Sequence, residues 1–333
     1  DPRFSSACFS FWNFIDFQSE ERGDAVPHIN SKGIMSTFRE PKDTYYFYQA
    51  QLNQKPFIQI LPALWDKHAW LEDKPGAGIV TKKTGVFTNE SELELFHNGK
   101  SLGKKKVADH FCEWDVKYTD GENVLMARST TTDKVIDLKR IKFKVYSRNI
   151  AHDPDLIEIN INVGSHAYFL DDFGTLWMPD KQYEEGNWGY TGGVKYIRGG
   201  DITGSKRDIF ATENDPLYQT QRIGLSSYRF DLPEGNYELE LYFAELLSKD
   251  EIASSVYNLG MSDAEEMAAS RIFDIYVNDQ LLRKDFDLIK LFGDGNAVTV
   301  KTRFYVEDTG LSVDLKPVEG KTVLNGIRII KVQ

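Results

Sequence analysis

The residues best suited to chemistry lie near the start of the chain, where Trp12 and Asp16 fall late in an apolar and aromatic run at residues 8–17. This run is too continuous for a strand with one face in water, so it predicts a strand that is buried on both faces. A polar loop, residues 18–30, follows it. Active sites of parallel barrels lie in the loops after the strands, which is where Trp12 and Asp16 would be. The alternative is that Trp12 packs in the core and Asp16 caps a loop.

A helix must follow to hold that loop in place. Pro41-Lys42-Asp43 predicts a helix start with Pro41 in the first turn, and the helix is expected to end near Asn53. Residues 45–48 give it a broad aromatic face. One strand and one helix cannot pair a sheet edge or cover that much aromatic surface. We therefore expect a partner segment that precedes this chain.

The pattern then changes to short strands. They are predicted near residues 56–62, 85–88, 93–97, 112–116, 124–129 and 141–145. Asn98-Gly99 predicts a two-residue hairpin between two alternating runs. Strands at this spacing predict an antiparallel β-sandwich of immunoglobulin type. Because we find no catalytic constellation in it, its predicted role is structural.

A second all-β domain is predicted after a polar linker at residues 147–154. Apolar residues alternate strictly from Ile157 to Val163, which predicts a strand with one apolar face. Further strands are predicted at residues 227–230, 237–244, 272–277 and 324–332, and a short helix within residues 249–270. This pattern is typical of a sandwich or a jelly roll.

Composition excludes several classes of function. A chain of 333 residues predicts two or three domains, and its 41% hydrophobic content is enough for packed cores. The net charge of −11, with no basic run longer than residues 104–106, argues against a surface for nucleic acid or for anionic membranes. It leaves room for one local cationic pocket. No apolar stretch is long enough to span a bilayer. Cys8 and Cys112 fall in different predicted modules, so buried thiols are expected rather than a disulfide framework.

The motif at the start of the chain resembles a known enzyme family. Residues 9–17 (FSFWNFIDF) and 29–51 (INSKGIMSTFREPKDTYYFYQAQ) resemble the last strand and last helix of the catalytic (β/α)8 barrel of glycoside hydrolase family 2. That family contains β-galactosidases, β-glucuronidases and β-mannosidases. The resemblance implies that Trp12 lines the sugar subsite. It also implies that the two catalytic glutamates lie on earlier barrel strands, upstream of residue 1, so that this chain alone is inactive.

Asn30-Ser31-Lys32, followed by Gly33, is similar to the element by which β-glucuronidases of this family hold the substrate carboxylate. An ammonium and an amide donor can bind a uronate through charge-assisted hydrogen bonds. We therefore expect Asn30 and Lys32 to contact the substrate. The alternative is that Lys32 is an ordinary loop lysine and that the sugar is a neutral one.

Two further resemblances cover the rest of the chain. Residues 91–105 (SELELFHNGKSLGKK) resemble the immunoglobulin-like domain that follows the barrel in many bacterial family-2 enzymes. Residues 157–333 resemble a malectin-type carbohydrate-binding module, through motifs in the same order that include NINVGSHAYFLDDFG, NWGYTGG, DPLYQTQRIG and LPEGNYELELYFAEL. Sites of this fold stack aromatic rings on sugars. The resemblance implies that the sugar contacts are made by Trp188, Tyr190, Tyr218 and Arg222.

The malectin-like segment departs from its family at two places. Ile223 and the pair Leu246-Leu247 stand where the glucose-binding members carry aromatic residues. Two stacking groups are therefore absent. The alternative is a domain that serves only structure or contacts between domains.

Metal and cofactor chemistry is weakly represented. The six histidines show no metal-ligand spacing among themselves or with the two cysteines, and we predict no cofactor. Two acidic clusters, Asp171-Asp172 and Asp285-Phe286-Asp287, could bind a structural calcium ion through oxygen ligands.

These patterns and resemblances predict a mainly β, multidomain chain. Residues 1–56 would end a barrel, residues 57–150 would form the immunoglobulin-like sandwich, and residues 155–333 the malectin-like sandwich. The predicted function is that of the C-terminal part of a retaining exo-β-glycosidase, which removes terminal β-glucuronide or β-galactoside residues from glycans. Its predicted partners are the glycan and the N-terminal catalytic part of the same protein, with no nucleic acid. Analogy predicts a periplasmic or cell-surface location. The alternative is a carbohydrate-binding or adhesion fragment without catalysis, or purely structural accessory domains.

Overall fold

The computed structural model describes residues 10–23, 27–131, 135–153, 156–198, 202–205, 207–246, 271–307 and 310–332. They form two compact units, and the second begins at Tyr146 and also takes in Lys74–Gly76. Both units are built mainly from β-strands, which confirms the predicted fold class. Cys8, Leu247 and the helix predicted within residues 249–270 lie outside the described residues.

Unit 1 begins with a short hairpin. Its strands are β1 (Phe17–Gly23) and β2 (Pro27–Asn30), which pair antiparallel with Phe17 opposite Asn30. The hairpin therefore brings the end of the aromatic run next to the Asn30-Ser31-Lys32 segment.

The helix α1 (Asp43–Leu52) follows and confirms the predicted helix. Lys42 is its N-cap residue and has an extended backbone, so Pro41 precedes the helix instead of lying in its first turn. Ala50 is its one fully buried position. Most of the aromatic face therefore stays partly exposed.

The predicted buried strand at residues 8–17 is wrong where the structure describes it. Residues 10–16 form no strand, and they make only an isolated bridge between Ile15 and Met35. Trp12 is 72% exposed. An apolar strand needs paired neighbours and cover on both faces, and the described residues supply no such neighbours. The barrel end therefore stays a prediction.

The rest of unit 1 is a sandwich of two sheets. Its strands are β3 (Ile58–Ile60), β4 (Lys67–Leu71), β5 (Ile79–Thr88), β6 (Glu92–His97), β7 (Lys100–Lys106), β8 (Phe111–Thr119), β9 (Gly121–Ser129) and β10 (Ile136–Tyr146). One sheet has the order β4-β10-β9-β6-β7 and the other the order β3-β5-β8. Alternate residues of these strands are buried between the sheets, which confirms the predicted sandwich.

The hairpin between β6 and β7 also confirms the sequence. Asn98 and Gly99 both have positive φ, as a type I′ turn requires. On the neighbouring sheet Cys112 is a free, buried thiol, and burial raises its pKa to about 11. This agrees with the predicted buried thiol for Cys112.

Unit 2 is a second sandwich. Its strands are β11 (Glu158–Asn162), β12 (Phe169–Leu170), β13 (Leu176–Pro179), β14 (Trp188–Lys195), β15 (Ile197–Arg198), β16 (Ile202–Thr203), β17 (Arg222–Phe230), β18 (Gly235–Phe243), β19 (Ile272–Val277), β20 (Gln280–Asp287), β21 (Val298–Val306), β22 (Leu311–Glu319), β23 (Val323–Leu324) and β24 (Gly326–Val332). Its short helices are a 3-10 turn (Ile150–His152), α2 (Asp215–Gln219) and α3 (Leu288–Phe292).

Two large sheets make up this sandwich. One has the order β12-β13-β11-β24-β18-β21 and the other the order β14-β17-β22-β19-β20, with β23 added to β17. They meet through aromatic rings: Phe243 of the first sheet lies 6.0 Å from Phe273 and 5.3 Å from Phe286 of the second, measured between ring centroids. All three rings are buried. The core of unit 2 is therefore the space between these sheets.

Asn325, between β23 and β24, ties several elements of unit 2 together. It is fully buried. Its Oδ1 accepts from the backbone N–H of Ala244 at 2.8 Å, and its Nδ2 donates to the carbonyls of Tyr218 at 2.6 Å and Thr220 at 2.9 Å. A buried amide whose groups are all bonded stabilises the fold, whereas its removal leaves buried partners without hydrogen bonds.

We expect Asn325→Ala to lower the free energy of unfolding by about 3 kcal/mol, because three buried backbone groups lose their partner at once. The measurement is urea unfolding of the chain followed by circular dichroism. Asn236→Ala, at an exposed position of β18, is the matched control and should change stability by less than about 0.5 kcal/mol. Equal losses for the two variants would contradict the structural role of Asn325.

Candidate functional site

The first candidate site lies in the loop that follows β2. The Trp12 ring meets Phe17, the first residue of β1, edge-on at a centroid distance of 6.3 Å. Phe17 pairs with Asn30, the last residue of β2, and Asn30 in turn bonds to Lys32. Consecutive contacts therefore join Trp12, Asn30 and Lys32, which are the three substrate-binding residues that the sequence predicts.

Asn30 shapes the backbone at this point. It is only 3% exposed, and its Oδ1 accepts a hydrogen bond from the backbone N–H of Lys32 at 3.1 Å. The Lys32 side chain is exposed, and its ammonium makes no hydrogen bond or ion pair with the described residues. Within the part of the chain that the structure describes, the loop thus presents an unpaired cation.

Asp16 holds the same loop from the other side. Its Oδ1 accepts from the backbone N–H of Gly33 at 2.7 Å, and its two oxygens lie 2.9 and 3.1 Å from Nζ of Lys42. The Lys42 ammonium also donates to the carbonyl of Ser31 at 2.7 Å. These contacts agree with the role of a loop cap, the alternative considered for Asp16, while the Trp12 ring is exposed in the described residues.

Gly33 is required because the chain passes close to itself here. A Cβ at this position would lie 2.2 Å from the backbone nitrogen of Asp16 and 2.4 Å from the carbonyl carbon of Ile15. These are backbone atoms that cannot move aside, so no larger residue fits. The close approach is what lets the N–H of Gly33 reach the Asp16 carboxylate.

Sequence reasoning misses Lys42. Its ion-pair partner Asp16 is 26 residues away along the chain, and a lysine in front of a helix carries no signal of a tertiary partner. The one available signal is Asp16 itself, since a carboxylate held largely away from water needs a cation or hydrogen-bond donors.

Unit 2 carries the second set of predicted site residues, and Trp188 is its most buried member. Trp188 is 2% exposed, packs edge-on against Tyr146 at 5.4 Å, and lies under the ammonium of Lys181 at 5.1 Å. So little exposed surface leaves no ring face for a sugar. This placement argues against the predicted stacking role of Trp188.

Tyr190 and Arg222 form one cluster. The guanidinium carbon of Arg222 lies 3.3 Å from the centroid of the Tyr190 ring, a stacked cation–π contact. Nε of Arg222 pairs with Oδ2 of Asp180 at 3.0 Å, and Nη1 donates to the carbonyl of Gly193 at 3.2 Å. Tyr190 is half-buried, so the buried guanidinium supports a partly exposed ring.

The charged groups of that cluster are shielded from water. The side chains of Asp180 and Arg222 are 0% and 3% exposed. Asp180 also accepts from the backbone N–H of Gly164 at 3.0 Å. Nearby, burial first and the Asp180 carboxylate second raise the pKa of Tyr228 far above its usual value. The Asp180–Arg222 pair is therefore a structural ion pair of the interior.

Tyr218 belongs to the core as well. It is 5% exposed, its hydroxyl lies 3.4 Å from Oγ1 of Thr299, and burial raises its pKa. Ile223 and Leu246, which replace aromatic residues of the family, are both buried. Of the four residues predicted to bind sugar in this unit, only Tyr190 offers a partly exposed ring.

Two of the predicted calcium ligands have other partners. Asp171 accepts hydrogen bonds from the backbone N–H of Phe173 and from Nε1 of Trp177, both at 3.0 Å. Asp287 caps α3 by accepting from the N–H of Lys290. In the described part of the chain, no three His, Cys, Asp or Glu residues lie where they could hold a metal ion. Structural calcium stays a prediction.

We expect Arg222→Met to lower the free energy of unfolding by about 3–5 kcal/mol, because it leaves the Asp180 carboxylate buried without its cation. Urea unfolding of the chain followed by circular dichroism measures this loss. Arg229→Met, at an exposed position of the same strand, is the matched control and should cost no more than about 0.5 kcal/mol. A small loss for Arg222→Met would show that the pair does not support unit 2.

Comparisons with known proteins divide the chain in a similar way. Residues 157–331 match the family described as Malectin domain, and residues 82–137 match one described as Domain of unknown function (DUF4982). None of the described helices is long and apolar enough to cross a membrane.

Several solved and curated relatives are glycosidases. A crystal structure of a Bacteroides uniformis β-glucuronidase superposes with a TM-score of 0.81 and 30% identity, covering 97% of this chain and 36% of that one. A putative β-glucuronidase of Formosa agariphila is 42% identical over 170 residues, or 49% of this chain and 15% of its own length. A β-galactosidase of Bacteroides ovatus is 32% identical over 133 residues, or 39% of this chain and 14% of its own.

The present chain therefore spans about a third or less of the length of these relatives. The family match covers more than half of the chain. It runs from β11 into β24, the first and last strands of the second sandwich. By this match, the chain belongs to the malectin domain family.

Proposed function

We propose that this chain is the C-terminal part of a retaining exo-β-glycosidase that removes terminal β-glucuronide residues from glycans. The observation that carries the proposal is the exposed ammonium of Lys32, which has no partner among the described residues and lies on a loop whose backbone is fixed on both sides. The likeness to the Bacteroides uniformis β-glucuronidase over 97% of this chain supports the same activity.

Trp12, Asn30 and Lys32 would each have a different role in binding the sugar. The Lys32 ammonium pairs with the carboxylate of the uronate, and the exposed ring of Trp12 packs against the sugar. Asn30 acts mainly through the backbone, since it is buried and its Oδ1 is occupied by the N–H of Lys32. This refines the expectation that Asn30 and Lys32 both contact the substrate directly.

Net retention requires two carboxyl groups about 5 Å apart, one as nucleophile and one as acid and base. We infer that another part of the same protein supplies these two glutamates. The other exposed aromatic residues before β1, Phe11 and Phe14, would then contact that catalytic part, since they are 39% and 61% exposed. By analogy with modular glycosidases, the protein would act in the periplasm or at the cell surface.

A galactoside is the competing substrate, as the name of the Bacteroides ovatus relative suggests. A neutral sugar has no carboxylate for Lys32. A charge-assisted contact is worth about 1.5–3 kcal/mol, which corresponds to roughly ten- to a hundredfold in kcat/KM. The charge of the substrate is therefore the property to test.

We expect Lys32→Met in the complete protein to lower kcat/KM for an aryl β-glucuronide by about ten- to a hundredfold and to change that for an aryl β-galactoside little. Steady-state kinetics on both substrates measure the ratio. Lys55→Met, another exposed lysine of unit 1, is the matched control and should leave the ratio unchanged. A wild-type preference for the galactoside with no effect of Lys32→Met would contradict the proposed substrate.

We also propose that unit 2 binds a glycan, as a second function. The supporting observation is the half-buried Tyr190 ring, which the buried Arg222 guanidinium holds in place at 3.3 Å. A rigid aromatic ring loses little entropy when a pyranose stacks on it. The family match to malectin domains favours this function, whereas the burial of Trp188 and Tyr218 limits the site to a single ring.

We expect glycan-array binding by the chain, and its loss in Tyr190→Ala, because the stacking ring is removed while the Arg222–Asp180 pair remains. Tyr305→Ala, an exposed tyrosine of β21, is the matched control and should bind like the unchanged chain. An array without signal would favour a purely structural role for this sandwich, and binding that survives Tyr190→Ala would contradict the proposed Tyr190 site.

A further inference from the structure

We propose that Asp16 and Lys42 are positioning residues for recognition of the anionic sugar, because together they fix the backbone that carries Lys32. This inference rests on the proposed β-glucuronidase function and adds to it two residues that do not contact the substrate.

Three consecutive backbone groups around Lys32 are each bound by a different side chain. The carbonyl of Ser31 accepts from Nζ of Lys42, and the N–H of Lys32 itself donates to Oδ1 of Asn30. The N–H of Gly33 donates to Oδ1 of Asp16. The path of the loop is thus set by its neighbours, and the Lys32 side chain is not used to hold it.

The two lysines of this region have separate tasks. The Lys42 ammonium is occupied by both oxygens of Asp16 and by the Ser31 carbonyl, and its side chain is 25% exposed. Asp16 is 10% exposed, so the pair is partly shielded from water. Lys32 has no such partner among the described residues and stays available to an anion.

Fixing the backbone should matter for a charged ligand in particular. A lysine side chain loses rotamer freedom when it grips a carboxylate, and a mobile backbone would add to that loss. A preorganised loop limits the loss to the side chain itself. Loosening the loop should therefore raise KM for a glucuronide, while a neutral glycoside has no carboxylate through which to sense the change.

The test uses the complete protein with Asp16→Asn, which keeps the shape of the side chain but removes its charge. We expect the ratio of kcat/KM for an aryl β-glucuronide to that for an aryl β-galactoside to fall about tenfold, mainly through KM for the glucuronide. Lys42→Met should do the same, and Lys42→Arg should restore part of the ratio because a cation is kept.

Glu94→Gln is the matched control. Its side chain is 11% exposed, close to the 10% of Asp16, and its carboxylate also pairs with a cation, that of Arg128 at 2.7 Å. Glu94 lies in the sandwich of unit 1. If a general loss of stability in unit 1 changed the substrate ratio, Glu94→Gln should change it as much as Asp16→Asn does. The substrate ratio of Glu94→Gln is expected to equal that of the wild type.

Placing Asp16→Asn in a Lys32→Met background decides how the residue acts. If Asp16 works through Lys32, the second substitution lowers the ratio no further. A further full tenfold fall, or an equal loss on both substrates, would overturn the positioning role. If Lys32→Met lowers the ratio and Asp16→Asn does not, only this inference fails. If Lys32→Met leaves the ratio unchanged, the proposed substrate fails and the inference with it.

Discussion

The candidate sugar-facing loop depends on the carboxylate of Asp16. It receives the N–H of Gly33 and the ammonium of Lys42, and it does so in a place that is largely shielded from water. Removing one member of such a shielded group leaves the others with unmet charge or hydrogen-bonding capacity, which costs more than the contact itself contributes. The short hairpin before the loop and the helix after it therefore have to keep their present relation for the loop to exist.

In unit 2, buried polar groups bond the interior together, and one of them supports the candidate sugar-binding ring. Asn325 bonds to three backbone groups in two separate segments, and Asp180 with Arg222 forms an ion pair in the interior. Arg222 supports the Tyr190 ring, which stays partly outside the sandwich, whereas Trp188 lies inside it. By residue type alone, Trp188 would be the better candidate for stacking on a sugar, whereas the packing leaves only Tyr190 with a partly exposed ring.

The sequence predicts most of the fold, and the failures have physical reasons. Alternating apolar residues and the Asn98-Gly99 turn predict the sandwich strands well, because one face of each strand is buried and the alternation along its sequence shows which face that is. The strand predicted at residues 8–17 is wrong. A continuous apolar stretch indicates that it must be buried, but it does not indicate which segment buries it. Likewise, the burial of Trp188 follows from its pairing opposite Phe230, and the partnership of Lys42 from a contact far along the chain; neither is encoded locally.

Gly33 has no room for a side chain, so this position of the loop cannot vary during evolution, whereas other positions can. Any mutation at that glycine would drive the loop away from Asp16, so the backbone is closed to variation there. Lys32 is the opposite case, because its side chain takes no part in holding the loop. A single codon change at position 32 could therefore exchange the charge offered to a sugar while the scaffold around it stays the same. In this arrangement, sugar preference could diverge between related enzymes in one step without a prior loss of folding.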